Sequence, residues 1–118
     1  MSRRLEQVNG LLRQEISRLV AQELSDPRLP LLVTITRVAT SADLRSARVY
    51  VSIMGSGEEK RTAVATLQSA AGFLQRTLRP RLTLRYVPTL SFRLDESIEE
   101  GARMLRAIEE LSSTKENT

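Results

Sequence analysis

The sequence predicts an α+β fold in which a small sheet, apolar on one face, is covered there by helices. Three observations lead to it. The 118 residues suit one domain with a single modest core. Apolar residues switch along the chain between three-to-four-residue steps and alternation, the signatures of helix and strand. The order of these switches is helix, strand, strand, helix, strand, helix, and a sheet of so few strands buries its apolar face against helices.

The first helix is carried by Leu5, Val8, Leu12, Ile16, Leu19, Val20 and Leu24, which share one face. Gly10 costs it about 1 kcal/mol relative to alanine. Ser25-Asp26-Pro27-Arg28 ends it, because proline drives the preceding residue out of the α region. Leu32 to Thr36 then reads as a strand whose alternation falters at Arg37-Val38-Ala39, the sign of a bulge. Thr40-Ser41-Ala42-Asp43 is turn chemistry. In the second strand Ala47, Val49, Val51 and Ile53 face one way and Arg48, Tyr50 and Ser52 the other, which completes an antiparallel hairpin with one polar face.

Gly55-Ser56-Gly57 breaks the strand, and Ser56 with Glu59 has the spacing of a capping box. Val64, Leu67, Ala71, Leu74 and Leu78 continue as a helix until Pro80, with Ala70-Ala71-Gly72 as a weak point where it can bend. The third strand is placed at Leu82 to Tyr86, with a further extended piece from Thr89 to Leu94 beyond a break or edge at Pro88. The crossover through the middle helix is expected to set strands one and three parallel. A last helix starts near Asp95, its cap, and offers Ile98, Ala102, Leu105, Ile108 and Leu111 as a face to pack on or near the sheet. Residues 1–111 make up the domain and 112–118 a frayed polar tail.

Composition removes whole classes of activity. With no cysteine and no histidine, the chain has no thiol nucleophile, histidine base, disulfide or zinc site. The acid pairs Glu58-Glu59, Asp95-Glu96 and Glu99-Glu100 each fall at a predicted helix start, where the helix dipole explains them without catalysis. Gly55-Ser56-Gly57 lacks the continuation of a phosphate loop. No catalytic residue, metal or cofactor is therefore expected. Nor does any stretch reach the ~20 apolar residues of a membrane span, and no signal-peptide core follows Arg3-Arg4. A cytoplasmic protein with no membrane or small-molecule partner is the expectation.

Charge points the other way, towards an anionic macromolecule. Lysine and arginine outnumber acids by 18 to 14, and arginine supplies all but Lys60 and Lys115. From Arg61 to Arg93 there are six arginines and no acid, whereas the acids concentrate beyond Leu94. A concentrated basic segment is the footprint of a nucleic-acid binder. Aromatics make up only 3% of the chain, which argues against base stacking on an open sheet of the RRM kind. Tyr50 alone is placed for it and serves equally as a cross-strand packing residue. A KH-type domain needs no aromatics, since it clamps a nucleic-acid backbone at a small-residue break between two helices. Ala70-Ala71-Gly72, followed by Arg76 and Arg79, sits where that break belongs. The same small residues would also serve simply to bring the helix close to the sheet.

Several pieces of the chain together resemble the ribosome-binding factor A family, bacterial factors of small-subunit maturation. They are Asp26-Pro27-Arg28-Leu29, Val33-Thr34-Ile35-Thr36, Ser41-Ala42-Asp43-Leu44, Ala47 to Val51 and Ala70-Ala71-Gly72-Phe73. The most specific is Arg85-Tyr86-Val87-Pro88-Thr89-Leu90-Ser91-Phe92, continued by Asp95-Glu96-Ser97 and Glu100-Gly101. The resemblance implies a type II KH-like domain, α-β-β-α(kink)α-β with a C-terminal helix, whose GxxG loop is replaced by a helix–kink–helix at Ala70, Ala71 and Gly72. It also implies binding to the free 30S subunit, assistance to late 16S rRNA maturation and 5′-end processing, and importance for growth in the cold. RNA contacts are expected from Arg76, Arg79, Arg81 and Arg85, with Arg45 and Arg48 further out. Arg28 and Arg37 are candidates for structural ion pairs. The expected protein is a monomeric assembly factor, not an enzyme. A constitutive small basic ribosomal protein is the alternative, and an adaptor acting through the acidic last helix is a third reading.

Overall fold

A computed structural model of the protein describes residues 3–24 and 33–116. The proposed helix stop at Ser25 to Arg28, the Asp26-Pro27-Arg28-Leu29 match and the start of the first strand at Leu32 lie outside the described residues. The elements in order are α1 (Arg3–Gln22), β1 (Val33–Thr40), β2 (Ser46–Ile53), α2 (Gly57–Ser69), α3 (Ala71–Leu78), a 3-10 turn (Arg79–Arg81), β3 (Thr89–Leu94) and α4 (Ser97–Glu116).

The apolar periodicities bury as their spacing requires. Leu12, Ile16 and Leu19 of α1, Val49 and Val51 of β2, and Leu67, Leu74 and Leu78 of α2 and α3 lose essentially all contact with solvent. One face of the sheet meets all three helices, and each fully buried leucine contributes about 1.5–3 kcal/mol relative to exposure. The bulge lies between Ile35 and Arg37, just before the faltering segment. Thr36 is the extra residue, so Ile35 and Val38 both reach the core with two residues between them instead of one. The hairpin loop closes with Leu44 at φ 62°. Asp43 supports it by accepting from the Ser41 hydroxyl at 2.6 Å and from the Arg45 N–H at 3.1 Å. These bonds, the Ser41 hydroxyl first, hold the Asp43 carboxyl below its ordinary pKa.

The turn into α2 needs glycine at position 55, whose φ is 151° and where a Cβ would stand 3.2 Å from that of Glu59. Glu59 completes the capping box: the Ser56 hydroxyl accepts its N–H and its carboxylate accepts the Ser56 N–H, both at 3.1 Å.

Three features differ from expectation. The strand order is β1-β2-β3, with β2 antiparallel to β1 and parallel to β3. The α2–α3 crossover therefore sets strands two and three parallel, and strands one and three never meet. Next, β3 is the Thr89–Leu94 piece alone, and Leu82 to Tyr86 is irregular. Pro88 is fully buried at the junction. It has no N–H for a ladder, so pairing can begin only after it. Finally, α4 does not lay its apolar face on the sheet. Met104, Leu105, Ile108 and Leu111 are all more than half exposed. The helix-facing side of the sheet is already filled by α1, α2 and α3, and the other side is polar. What ties α4 down is at its start: Asp95 accepts from Ser97 N–H at 3.0 Å and from the Thr36 hydroxyl at 2.6 Å, and Lys60 of α2 pairs with Glu99. The helix is continuous to Glu116.

Candidate nucleic-acid interface

The middle helix breaks where its small residues fall. Ala70, at φ −89° and ψ 0°, is both the end of α2 and the start of α3. Its N–H is shared at 3.1 Å between the carbonyls of Thr66 and Leu67, so the kink leaves that donor satisfied. The two residues after it take opposite roles. Ala71 is buried and lets α3 close on the sheet. Gly72 is exposed, and a Cβ there would come within 3.3 Å of Arg76 Nη1. Tight packing thus accounts for Ala71, while Gly72 leaves room for an arginine to fold over the kink.

A shallow depression opens beside Gly72, lined by Gln75, Arg76, Arg79, Arg85, Tyr86 and Val87. Its arginines come from two parts of the chain. Arg76 and Arg79 lie near the end of α3, and Arg85 comes from the irregular segment that Pro88 keeps out of the sheet. Tyr86 is 63% exposed, and its ring centroid lies 5.7 Å from Arg85 Cζ, within cation–π range. No acid lines the depression. Among the described residues none of these three exposed arginines makes an ion pair, an arrangement whose charge attracts anionic groups.

The other expected contacts do not converge there. Arg81 turns to α1 and the residue that follows it, its guanidinium lying 3.7 Å from Glu15 and 3.8 Å from Glu23. Glu15 Oε2 is buried without a hydrogen bond, so Arg81 serves to neutralise it. Arg45 is exposed in the hairpin loop, and its carbonyl accepts the Thr89 N–H at 2.9 Å, which places it at the same end of the sheet as Val87. Arg48 projects from the sheet face opposite the helices. Tyr50 is a cross-strand packing residue, with the Arg37 guanidinium 4.0 Å above its ring. Arg37 is therefore held by an aromatic ring and not by an ion pair.

Sequence reasoning overlooks Tyr86 and two glutamines. Gln75 Oε1 accepts the Leu90 N–H at 3.2 Å. Gln68 accepts from Phe92 N–H at 2.9 Å and donates to the Leu90 carbonyl at 3.2 Å. The signal was present: two amides seven residues apart, each following a buried leucine, Leu67 and Leu74. Among the described residues, no group of three or more His, Cys, Asp or Glu could hold a metal.

The family model for ribosome-binding factor A matches residues 4–108. The ribosome-binding factor A of Acetivibrio thermocellus is 47% identical over 110 residues, 93% of this chain and 89% of that one. That of Dictyoglomus thermophilum is 43% identical over 111 residues, covering 94% and 92%. The crystal structure of the Thermus thermophilus factor superposes with a TM-score of 0.67 at 29% identity, over 76% of this chain and 94% of that one. A homology model of the Thermus thermophilus factor, fitted into a cryo-electron microscopy map of its 30S complex, gives 0.61 at 30% identity, over 75% and 91%. The KH-like helix–kink–helix, the one-faced sheet and the match over most of the sequence have one common explanation: the chain belongs to the ribosome-binding factor A family.

Proposed function

We propose that the protein binds the small ribosomal subunit in the cytoplasm and docks the depression at the helix kink onto folded 16S rRNA. Arg76, Arg79 and Arg85 contact phosphates, and Arg45 contributes from the rim. Gly72 keeps the surface low enough for the RNA backbone to approach. The single observation that carries this reading is the convergence of three arginines from two chain segments on an acid-free depression beside the kink. The fit of a relative into a 30S complex and the scarcity of aromatics support docking on RNA shape and phosphates over base stacking.

Binding of this kind needs no bond to be made or broken. A protein with higher affinity for one rRNA conformation raises the population of that conformation by its differential affinity. On this reading the factor assists late maturation and 5′-end processing by holding the substrate of other enzymes, acts as a monomer, and matters most in the cold, where rRNA rearranges slowly.

Small-subunit binding across a salt series tests the proposal. Losing three phosphate contacts in an Arg76/Arg79/Arg85 triple alanine variant should make the log–log salt slope shallower by about 0.7–0.9 per contact. An unchanged slope would move the footprint away from the kink. Sedimentation separates an assembly factor, found with free small subunits, from a constitutive ribosomal protein, found in translating ribosomes.

A further inference from the structure

The face of the sheet turned away from the helices has an organisation of its own. The register sets Arg37 of β1 opposite Tyr50 of β2, and Tyr50 opposite Arg93 of β3. One row of side chains, Arg-Tyr-Arg, therefore crosses all three strands. The adjacent row is Ala39, Arg48 and Ser91. All three arginines are exposed. Among the described residues none of them makes an ion pair. The acid at the margin of the face, Asp95, is engaged by Thr36 and Ser97.

Like charges gathered on one sheet face oppose folding unless something anionic covers them. The Arg37 guanidinium is fixed 4.0 Å over the Tyr50 ring, so less side-chain freedom is lost when it binds. With strands about 4.8 Å apart, the row from Arg37 to Arg93 spans roughly 10 Å of nearly flat surface. Such a surface suits the shallow minor groove and backbone of folded RNA.

We infer that this open sheet face is a second RNA-contacting surface, on which Arg37, Arg48 and Arg93 take the phosphodiester backbone of a separate rRNA segment. The inference rests on the reading of the protein as an rRNA binder and adds a second contact to it. The kink depression belongs to the helical layer and the arginine row to the opposite side of the sheet, so the two segments lie on either side of the domain. Once one is bound, the other is presented at high effective concentration only if the rRNA holds the two about one domain apart. The protein thereby selects a spacing between two RNA segments as well as the shape of one.

The full chain and intact small subunits provide the test, in the same salt series. The variant Arg48→Ala with Arg93→Ala spares the Arg37–Tyr50 stack. Its slope should be shallower by about 0.7–0.9 per lost contact, and combining it with the Arg76/Arg79/Arg85 variant should remove the sum. Arg48→Lys with Arg93→Lys should restore most of the slope, which a folding defect would not allow. A wild-type slope for Arg48→Ala/Arg93→Ala overturns the second surface. If the kink variant alone loses slope, the proposed function stands without it. If only the sheet variant loses slope, the kink reading fails and this one survives; if neither does, both fail. The chain has no cysteine, so Ser52→Cys carries a single benzophenone on this face. RNase-sensitive adducts are expected, and adducts with ribosomal protein alone would overturn the inference.

Discussion

Replacing Asp95 by asparagine removes a charge from the junction that Asp95 makes between β1, the end of β3 and the start of α4. Asp95 follows β3, its N–H donates to the Val51 carbonyl at 2.7 Å, and its carboxylate receives the Thr36 hydroxyl and the Ser97 N–H. The Ser97 side chain first, the Thr36 hydroxyl next and then the Ser97 N–H, with the Arg37 charge adding to them, lower its pKa from 3.8 to about 2. A shift of that size corresponds to about 2.5 kcal/mol at neutral pH. The group is partly solvated, and screening reduces the expectation to about 1 kcal/mol. The sign follows from the depressed folded-state value. The contribution is complete above about pH 5, declines as the unfolded chain begins to take up the proton, and is lost as pH falls through about 2. Urea unfolding of the wild type and Asp95→Asn should therefore differ by about 1 kcal/mol at pH 7. The gap should narrow steadily below pH 4. A cycle with Thr36→Val should show a coupling of about 0.5–1 kcal/mol. Equal stability at pH 7, or a deficit independent of pH, would refute an ionised Asp95 as the junction of the three elements.

Other substitutions separate folding from binding. Gly72→Ala should leave the fold as stable as the wild type or up to about 1 kcal/mol more stable, because an exposed helical glycine is replaced. Its small-subunit affinity should fall, because Arg76 must move; equal affinity would remove Gly72 from the interface. Arg81→Ala should lower stability by up to about 1 kcal/mol through Glu15 and leave the salt slope of binding at the wild-type value, which the two measurements check together. Leu74→Ala, at a fully buried position, should cost about 2–5 kcal/mol in urea unfolding. Leu105→Ser with Ile108→Ser should change the unfolding midpoint little, within about 0.5 kcal/mol, since both side chains are exposed; a large loss would show that α4 packs in solution.

Local signals carried most of the architecture. The alternation of Ala47, Val49, Val51 and Ile53, the Ser56–Glu59 capping box and the Ala70 break depend on neighbours within a few residues, and each appears as expected. The features that differed depend on long-range competition. Leu82 to Tyr86 alternates as a strand should, but Thr89 to Leu94 takes the place beside β2 and Pro88 forbids a continuous ladder. The stripe Leu105, Ile108 and Leu111 reads as a buried face only if a vacant apolar surface exists, and α1 to α3 have filled it. At the candidate site, Arg76, Arg79 and Arg85 were legible because basic residues cluster in sequence. Arg81 belongs to the same cluster and is claimed by Glu15, sixty-six residues earlier in the chain, a partner that no local pattern reveals. The Arg37–Tyr50–Arg93 row likewise exists only once strand order and register are known.

The amides of Gln68 and Gln75 give the outer margin of the sheet a further consequence. An uncovered strand margin invites another strand, and hence fibres or exchanged dimers. Here the N–H groups of Leu90 and Phe92 and the carbonyl of Leu90 are already occupied by the two glutamines, which act as a surrogate fourth strand supplied by the helices. These groups are thereby withheld from pairing with a second copy through this margin. The same occupancy makes these three backbone groups of β3 unavailable to any ligand that approaches beside the kink.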